Sequence, residues 1–227
     1  MQALVITALT GPDSLAIQTV PDPTLKPGQT LIKVAAGGLN FADFMTAKGG
    51  YPGTPPPPLI AGREFAGVEE NTGRRVMGYA QWAAFAEKTA AYPSMLWPVP
   101  DHWTNEQAAA FPVNYFTAYL AYWQAGMIEP IWGRAPRTPR VLIHAVAGGV
   151  GTAAVQIGHL LGIEMYGTSS SDEKLSRVKP LGLRLRQKQL LDGHDLEARL
   201  FELPKNRGGV AFANRVGLDD AECPLHA

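Results

Sequence analysis

Short apolar runs separated by glycine and proline make up the first hundred residues of this 227-residue chain. Runs of this length, bounded by turn residues, are typical of strands in a β-rich domain. The predicted strands are Ala3–Ile6, Thr30–Ala35, Arg75–Gly78 and Trp82–Glu87. The pattern therefore predicts a β-barrel domain.

From residue 104 onward the pattern becomes helical and then alternates between strand and helix. Thr104 followed by Gln107 is the signature of a capped helix start. The further predicted elements are a helix over Phe116–Gln124, a loop over Gly126–Pro139, a strand over Arg140–Ala145, a helix over Val150–Leu161, a strand over Glu164–Thr168 and a helix from Asp172 to Pro180. Strand, helix and strand in this order predict parallel strands joined by a right-handed crossover.

A glycine-rich turn joins the strand at residue 140 to the helix that follows it. Gly148 and Gly149 let backbone N–H groups approach a pyrophosphate, and Gly151 lets the helix lie close to the strand. The helix N-terminus adds unpaired donors and the positive end of the helix dipole. Val146 stands where the first glycine of G-x-G-x-x-G would be, so an ordinary strand-to-helix turn is the alternative interpretation.

Composition narrows the classes of partner. Twenty Lys and Arg balance twenty Asp and Glu, so the formal net charge is zero and no basic field favours nucleic acid or an anionic membrane. No apolar run approaches the roughly 20 residues of a membrane span, and the N-terminus has no signal-peptide pattern, which predicts a cytoplasmic protein. The single cysteine, Cys223, excludes an intramolecular disulfide and a cysteine-rich zinc lobe.

From residue 1 to about residue 182 the chain resembles the zinc-independent quinone oxidoreductase branch, the zeta-crystallin-like group, of the medium-chain dehydrogenase/reductase superfamily. The blocks that carry this resemblance are Gly38–Asp43, Gly50–Pro52, Gly62–Gly67, Ala109–Val113 with Thr117–Tyr119, and Ala145–Gly151. The resemblance implies a GroES-like β-barrel catalytic domain over residues 1–116. An incomplete Rossmann domain, a doubly wound parallel α/β sheet, would follow over residues 117–227, with cofactor and substrate between the two domains.

Two positions separate the chain from zinc-using relatives, in which a cysteine ligand stands at the place of Asn40 and a histidine ligand at the place of Arg63. Zinc needs thiolate, imidazole or carboxylate donors, so we expect no metal. Without a metal electrophile, the acceptor must delocalise the negative charge that hydride addition creates. A quinone or an α,β-unsaturated carbonyl does so, which leaves positioning and hydrogen bonds to the protein.

The resemblance also implies roles for single residues. Asn40 would offer its amide to the nicotinamide or to the substrate oxygen, Asp43 would orient neighbouring groups, and Tyr51 would line the substrate pocket as a hydrogen-bond donor. A capped helix start is the alternative interpretation of Asn40. Glu64 is expected to be structural, and Thr117 to lie on the nicotinamide side, with a helix-interior threonine as its alternative.

The end of the second strand bears on the choice of cofactor. About 20 residues past the glycine turn, NAD-binding proteins place Asp or Glu on the ribose hydroxyls. Here three serines stand at residues 169–171, with Lys174 and Arg177 a turn further, and hydroxyls with a cation suit the 2′-phosphate of NADPH. Asp172 and Glu173 are adjacent to these serines and could bind the ribose hydroxyls instead, so NADH is the alternative cofactor. The predicted cofactor-binding residues are Thr117, Ala147, Gly148, Gly149, Val150, Gly151, Ser169, Ser170 and Lys174.

After Gly182 the resemblance ends, apart from a faint similarity of Gly208–Asn214 to a fourth Rossmann strand. Because relatives run longer, a truncated or frameshifted product is expected. A sheet that ends at its fourth strand would have an unpaired, apolar edge that promotes aggregation or formation of a homodimer. The leading hypothesis is NADPH-dependent reduction of a small quinone or enone. The alternative is a catalytically impaired nucleotide-binding or interaction protein of the same fold, and an enoyl reductase module of a larger synthase is a weaker third.

Overall fold

The computed structural model describes residues 1–128 and 139–182 of the chain. Its first hundred residues form antiparallel sheets whose strand orders are β2-β1-β4 and β7-β3-β5-β6-β8. The strands are β1 (Gln2–Ile6), β2 (Leu15–Thr19), β3 (Thr30–Gly38), β4 (Leu59–Ile60), β5 (Glu64–Glu69), β6 (Arg75–Tyr79), β7 (Lys88–Ala91) and β8 (Leu96–Pro98). The predicted strands at residues 3–6, 30–35 and 75–78 are confirmed as parts of β1, β3 and β6.

Buried side chains from β3, β5 and β6 form the core of the larger sheet. Ile32, Phe65 and Val76 are each fully buried there. Gly78 is required beside Phe65, because a Cβ at Gly78 would lie 2.5 Å from the tip of the ring. The pairing of β3 with β5 places Gly38 opposite Glu64, and this register brings the segment after β3 beside the start of β5.

The predicted strand at Trp82–Glu87 is wrong. Ala83 has a φ of 69°, in the left-handed region that interrupts extended backbone. The N–H of Phe85 donates to the carbonyl of Ala61 at 2.9 Å, outside any strand ladder. The Phe85 ring fills the space beside Gly62, where a Cβ would lie 2.4 Å from it. The apolar pattern therefore reflects packing of an irregular segment against the barrel.

Three helices follow from local sequence signals: α1 (Phe41–Ala47), α2 (Asn105–Ala109) and α3 (Pro112–Gln124). The predicted capping box is confirmed, since Gln107 N–H donates to Thr104 Oγ1 at 3.2 Å and Thr104 N–H donates to Gln107 Oε1 at 3.0 Å. Helix α3 begins at Pro112, four residues before the predicted Phe116. Proline fits this first helical position because its missing N–H would be unpaired there.

The remaining described residues form a β-α-β-α unit of β9 (Arg140–Ile143), α4 (Gly149–Leu160), β10 (Glu164–Gly167) and α5 (Asp172–Val178). β9 and β10 pair in parallel, which confirms the predicted order. Val146, Val155 and Met165 are buried in its core. Tyr122 of α3 reaches this core and donates its hydroxyl to the Ala154 carbonyl at 2.8 Å, and burial raises the pKa of Tyr122 to about 12.

Helix α3 joins the two halves of the described chain. Its N-cap residue, Phe111, packs with the barrel side, and its later turns pack with the β-α-β-α unit through Ala118 and Tyr122. The predicted domain boundary at residue 116 falls within this helix, and the division stays a prediction. The predictions for 183–227, including a strand at 208–214, lie outside the described residues. None of the helices within 1–128 and 139–182 has both the length and the apolarity needed to cross a bilayer.

Candidate functional site

The turn between β9 and α4 presents free backbone donors. Ala145 adopts a φ of 50°, and its carbonyl accepts the N–H of Gly148 at 2.9 Å. The N–H of Thr152 donates to the Gly148 carbonyl at 2.8 Å as the first bond of the helix. The N–H groups of residues 149–151 precede that bond and have no acceptor within the helix. The turn therefore offers several donors, and the positive end of the α4 dipole, to an anion.

The glycines of this turn have different neighbours. A Cβ at Gly151 would lie 2.5 Å from the Ala145 carbonyl oxygen, so Gly151 permits the close approach of α4 to the turn. A Cβ at Gly149 would instead lie 2.4 Å from Oδ1 of Asn114. The space at Gly149 is thus occupied by an amide from α3. Sequence reasoning missed Asn114, although a polar residue early in an apolar helix was the available signal.

A cavity of about 540 Å³ lies between this turn and the start of α3. Stacked rings of Phe111 and Tyr115, with centroids 4.1 Å apart, belong to its α3 side. Of the predicted cofactor residues, Ala147, Gly148 and Gly149 line the cavity. Thr117 is exposed on α3 and does not line it. The complete lining is Trp103, Gln107, Ala110, Phe111, Asn114, Tyr115, Ala147, Gly148, Gly149, Thr152 and Ala153.

The serines after β10 lie beside a lysine. Lys174 donates from Nζ to Ser170 Oγ at 3.0 Å, and Ser171 caps α5 by accepting the N–H of Lys174 at 3.3 Å. Arg177 pairs with Glu173 one turn back. Within the described residues, no carboxylate forms an ion pair with Lys174. The end of β10 therefore combines hydroxyls with a cation that has no carboxylate partner there.

On the barrel side, a buried carboxylate joins Asn40 to α3. Asn40 Nδ2 donates to Glu64 Oε1 at 2.6 Å, and the N–H of Val113 donates to Glu64 Oε2 at 2.7 Å. Asn40 is also the N-cap of α1, and its N–H donates to Asp43 Oδ2 at 2.8 Å. Burial raises the pKa of both Glu64 and Asp43, while these hydrogen bonds act in the opposite direction. The capped helix start and an amide with a defined orientation therefore coexist at Asn40.

Arg63 directly precedes Glu64 in the chain and has only 3% of its surface exposed. Its guanidinium carbon lies 3.8 Å from the centre of the Tyr51 ring and 4.2 Å from that of Trp82. Nη2 donates to Thr46 Oγ1 at 3.1 Å, whereas the buried Nε has no hydrogen-bond partner among the described residues. The Arg63 charge opposes the burial effect on the Asp43 pKa. The three predicted catalytic residues are thus linked, Asn40 to Asp43 directly and Asp43 to Tyr51 through Arg63.

Possible metal ligands do not converge in the described part of the chain. Across residues 1–128 and 139–182, no group of three His, Cys, Asp or Glu side chains is placed to hold a metal ion. Asn40 and Arg63 are engaged with Glu64, Thr46 and the two aromatic rings. The absence of a metal requirement stays a prediction.

Several known proteins are similar to this chain in sequence and fold. The family described as "Alcohol dehydrogenase GroES-like domain" matches residues 26–84. The human synaptic vesicle membrane protein VAT-1 homolog is 35% identical over 185 residues, which cover 76% of this chain and 45% of that protein. The quinone oxidoreductase of Thermus thermophilus, whose structures include a complex with NADPH, aligns with a TM-score of 0.72 and 38% identity over 81% of this chain and 58% of that one.

A mycobacterial protein solved in complex with NADPH aligns with a TM-score of 0.74 and 30% identity, over 89% of this chain and 63% of its own. The chain thus spans less than two thirds of each of these relatives. Together the matches confirm the fold class expected from the sequence, a GroES-like barrel with a Rossmann-like α/β domain.

Proposed function

Because the chain belongs to the zinc-independent quinone oxidoreductase branch of the medium-chain dehydrogenase/reductase superfamily, we propose that it transfers a hydride from NADPH to a quinone or an α,β-unsaturated carbonyl without a metal. The observation that carries this proposal is the Asn40 amide, which is held in place by Glu64 and α1 at the barrel side of the site.

The residues at the glycine turn fit a dinucleotide. The N–H groups of residues 149–151 supply donors for a pyrophosphate, and the approach of α4 that Gly151 permits orients them. Ser169, Ser170 and Lys174 would hold the 2′-phosphate, since a cation with hydroxyl donors suits a dianionic group. When bound, the nicotinamide supplies the hydride. Two solved relatives contain NADPH, which supports this choice of cofactor.

The acceptor class follows from the groups around Asn40. An amide N–H can donate to an oxygen on which negative charge develops, which stabilises the transition state more than the ground state. Asp43 would hold Asn40 in place by accepting its backbone N–H. Tyr51 would line the substrate pocket, with its ring held by Arg63. A single amide donor is a weaker electrophile than a metal ion, so a charge-delocalising acceptor is the chemistry that these residues support.

The experiment measures NADPH oxidation by the purified chain with 1,4-benzoquinone, with an alkyl enone and with a simple saturated ketone, with and without a chelator. We expect turnover with the first two, little with the ketone, no effect of the chelator, and a strongly reduced but measurable kcat in the Asn40→Ala variant. A folded wild-type protein that binds NADPH without turnover would support the alternative, a nucleotide-binding or interaction protein. Titration calorimetry with NADPH makes that distinction.

The cytoplasmic location and the homodimer stay predictions. The formal net charge of the chain is zero, which gives no general electrostatic attraction to an anionic membrane surface. Light scattering after size exclusion measures the oligomeric state directly.

A further inference from the structure

Glu64 is a fully buried carboxylate whose two oxygens serve different elements. Oε1 accepts from Asn40, which caps α1, and Oε2 accepts the N–H of Val113 in the first turn of α3. The site is closely packed, since a Cβ at Gly38 would lie 2.4 Å from Oε1. The sequence predicted only a structural role for this residue. Glu64 also connects the Asn40 amide, on the substrate side, to helix α3, which lines the cavity on the cofactor side.

These contacts determine which end of the Asn40 amide is free. One Nδ2 hydrogen is directed to Glu64. The side-chain oxygen lies toward the start of α1 in the capping arrangement, where the N–H of Asp43 donates to the backbone carbonyl of Asn40 at 3.0 Å. An amide carries two N–H donors and one carbonyl acceptor. Because Nδ2 is directed to Glu64, its second hydrogen remains as a donor for a ligand, and Asn40 is partly exposed. A flipped amide would present its oxygen instead, which repels a developing oxyanion.

We propose that Glu64 is a positioning residue that fixes the orientation of the Asn40 amide, so that Asn40 presents an N–H donor to the acceptor oxygen of the substrate. This inference rests on the proposed function. Only a group that accepts at both of its ends meets the two donors. Glutamine offers one oxygen, so in a Glu64→Gln variant either Val113 or Asn40 faces an N–H group. Since the N–H of Val113 cannot rotate, Asn40 is the partner that flips.

The first test reads the hydrogen bond without any activity. In ¹⁵N-labelled wild-type protein, the side-chain amide signal of Asn40 is assigned by its loss in Asn40→Ala. We expect one of its two protons to be shifted downfield relative to those of exposed asparagines, and the shift to disappear in Glu64→Gln. Two protons with ordinary shifts in the wild type would overturn the proposal, even if the enzyme is active and even if the variant does not fold.

The second test uses kinetics in a double-mutant cycle. Glu64→Gln should lower kcat by roughly tenfold to a hundredfold with a smaller change in KM, because a donor is lost to the transition state. In the Asn40→Ala background, the same substitution should change kcat by less than about twofold, since the residue through which it acts is gone. Effects that multiply independently in the double variant would overturn the positioning role.

Glu69→Gln is the matched control. Glu69 is buried on the same strand β5, with 4% of its surface exposed, and accepts from Thr72 and Arg74 away from Asn40. We expect this variant to leave kcat and the Asn40 amide signal unchanged. An equal loss of kcat in Glu69→Gln would show that the Glu64 effect is a general loss of strand structure. Failure of the proposed function is recognised separately, as a shifted Asn40 proton in a protein without turnover.

Discussion

The guanidinium carbon of Arg63 lies 3.8 Å from the centre of the Tyr51 ring. Trp82 is almost as close, at 4.2 Å, so residues from three separate segments meet around one buried cation. A cation over an aromatic face is attracted by the ring quadrupole, and more strongly where water is excluded. Thr46 and the Gln81 carbonyl accept its Nη hydrogens. The placement of Tyr51, and of any substrate pocket that it lines, therefore depends on Arg63.

Arg63→Met removes the charge and keeps much of the length. We expect the free energy of unfolding to fall by roughly 2–4 kcal/mol, because the ring contacts and hydrogen bonds to a charged group are lost. Urea denaturation measures this, with Arg74→Met as the control. The Arg74 side chain is 55% exposed in its pair with Glu69. Its substitution should therefore lower the free energy of unfolding by at most about 1 kcal/mol. Equal stabilities of the two variants would contradict the role of Arg63.

Gly149→Ala should be destabilising through Asn114. The added Cβ would lie 2.4 Å from the Asn114 oxygen, and overpacking of this kind costs about 1–3 kcal/mol. Removing the amide in Gly149→Ala/Asn114→Ala should restore most of the stability and of the NADPH affinity, measured by urea denaturation and calorimetry. If the double variant is stable but still fails to bind NADPH, the absent side chain at Gly149 is needed by the ligand instead.

The sequence predicts those features that depend on residues close together in the chain, and misses those that depend on contacts made by the fold. The Thr104 capping box depends on neighbours three residues apart, and its pattern is readable without a fold. Asn114 and Arg63 act through partners that only the fold brings near, so their residue type alone carries no such information. The segment around Ala83 has the apolar pattern of a strand, but its backbone is left-handed at Ala83 and its Phe85 ring packs against Gly62, a contact that only the fold creates.

Lys174→Ala tests the cofactor preference. Its ammonium group is hydrogen-bonded to Ser170 without a carboxylate partner among the described residues, and is available to a 2′-phosphate. We expect the KM for NADPH to rise about tenfold and the KM for NADH to stay the same, because only NADPH carries that group. Arg177→Ala is the control, since Arg177 is paired with Glu173. A Lys174 variant with equal losses for both cofactors would refute the assignment.

Gly158→Ala tests the packing of α3 on α4. An alanine normally stabilises a helix interior by about 1 kcal/mol relative to glycine. Here a Cβ would lie 2.3 Å from Met165 Sδ and 2.6 Å from the Tyr122 hydroxyl, so we expect a net loss of roughly 1–3 kcal/mol. Thermal unfolding shows whether the substitution stabilises or destabilises the protein. Adding Tyr122→Phe removes one of the two close contacts and should recover part of the loss, whereas a stabilised Gly158→Ala would show that the helices are not packed this closely.

Stability should fall as pH rises through the titration of Glu64. Burial raises the pKa of Glu64 above its ordinary value of 4.5, so between these two pKa values the folded chain keeps a proton that the unfolded chain has released. The free energy of unfolding therefore decreases with pH in that window and is constant above it.

The raised pKa of Asp43 has the same sign, and for this reason the difference between wild type and Glu64→Gln is the quantity to measure. Urea denaturation from about pH 4 to about pH 8 gives both curves. Whatever constant offset the substitution causes, the variant should gain stability relative to wild type as pH rises through the window. A difference with the opposite slope would mean that the hydrogen bonds from Asn40 and Val113 outweigh desolvation, so that Glu64 is stabilised as the carboxylate.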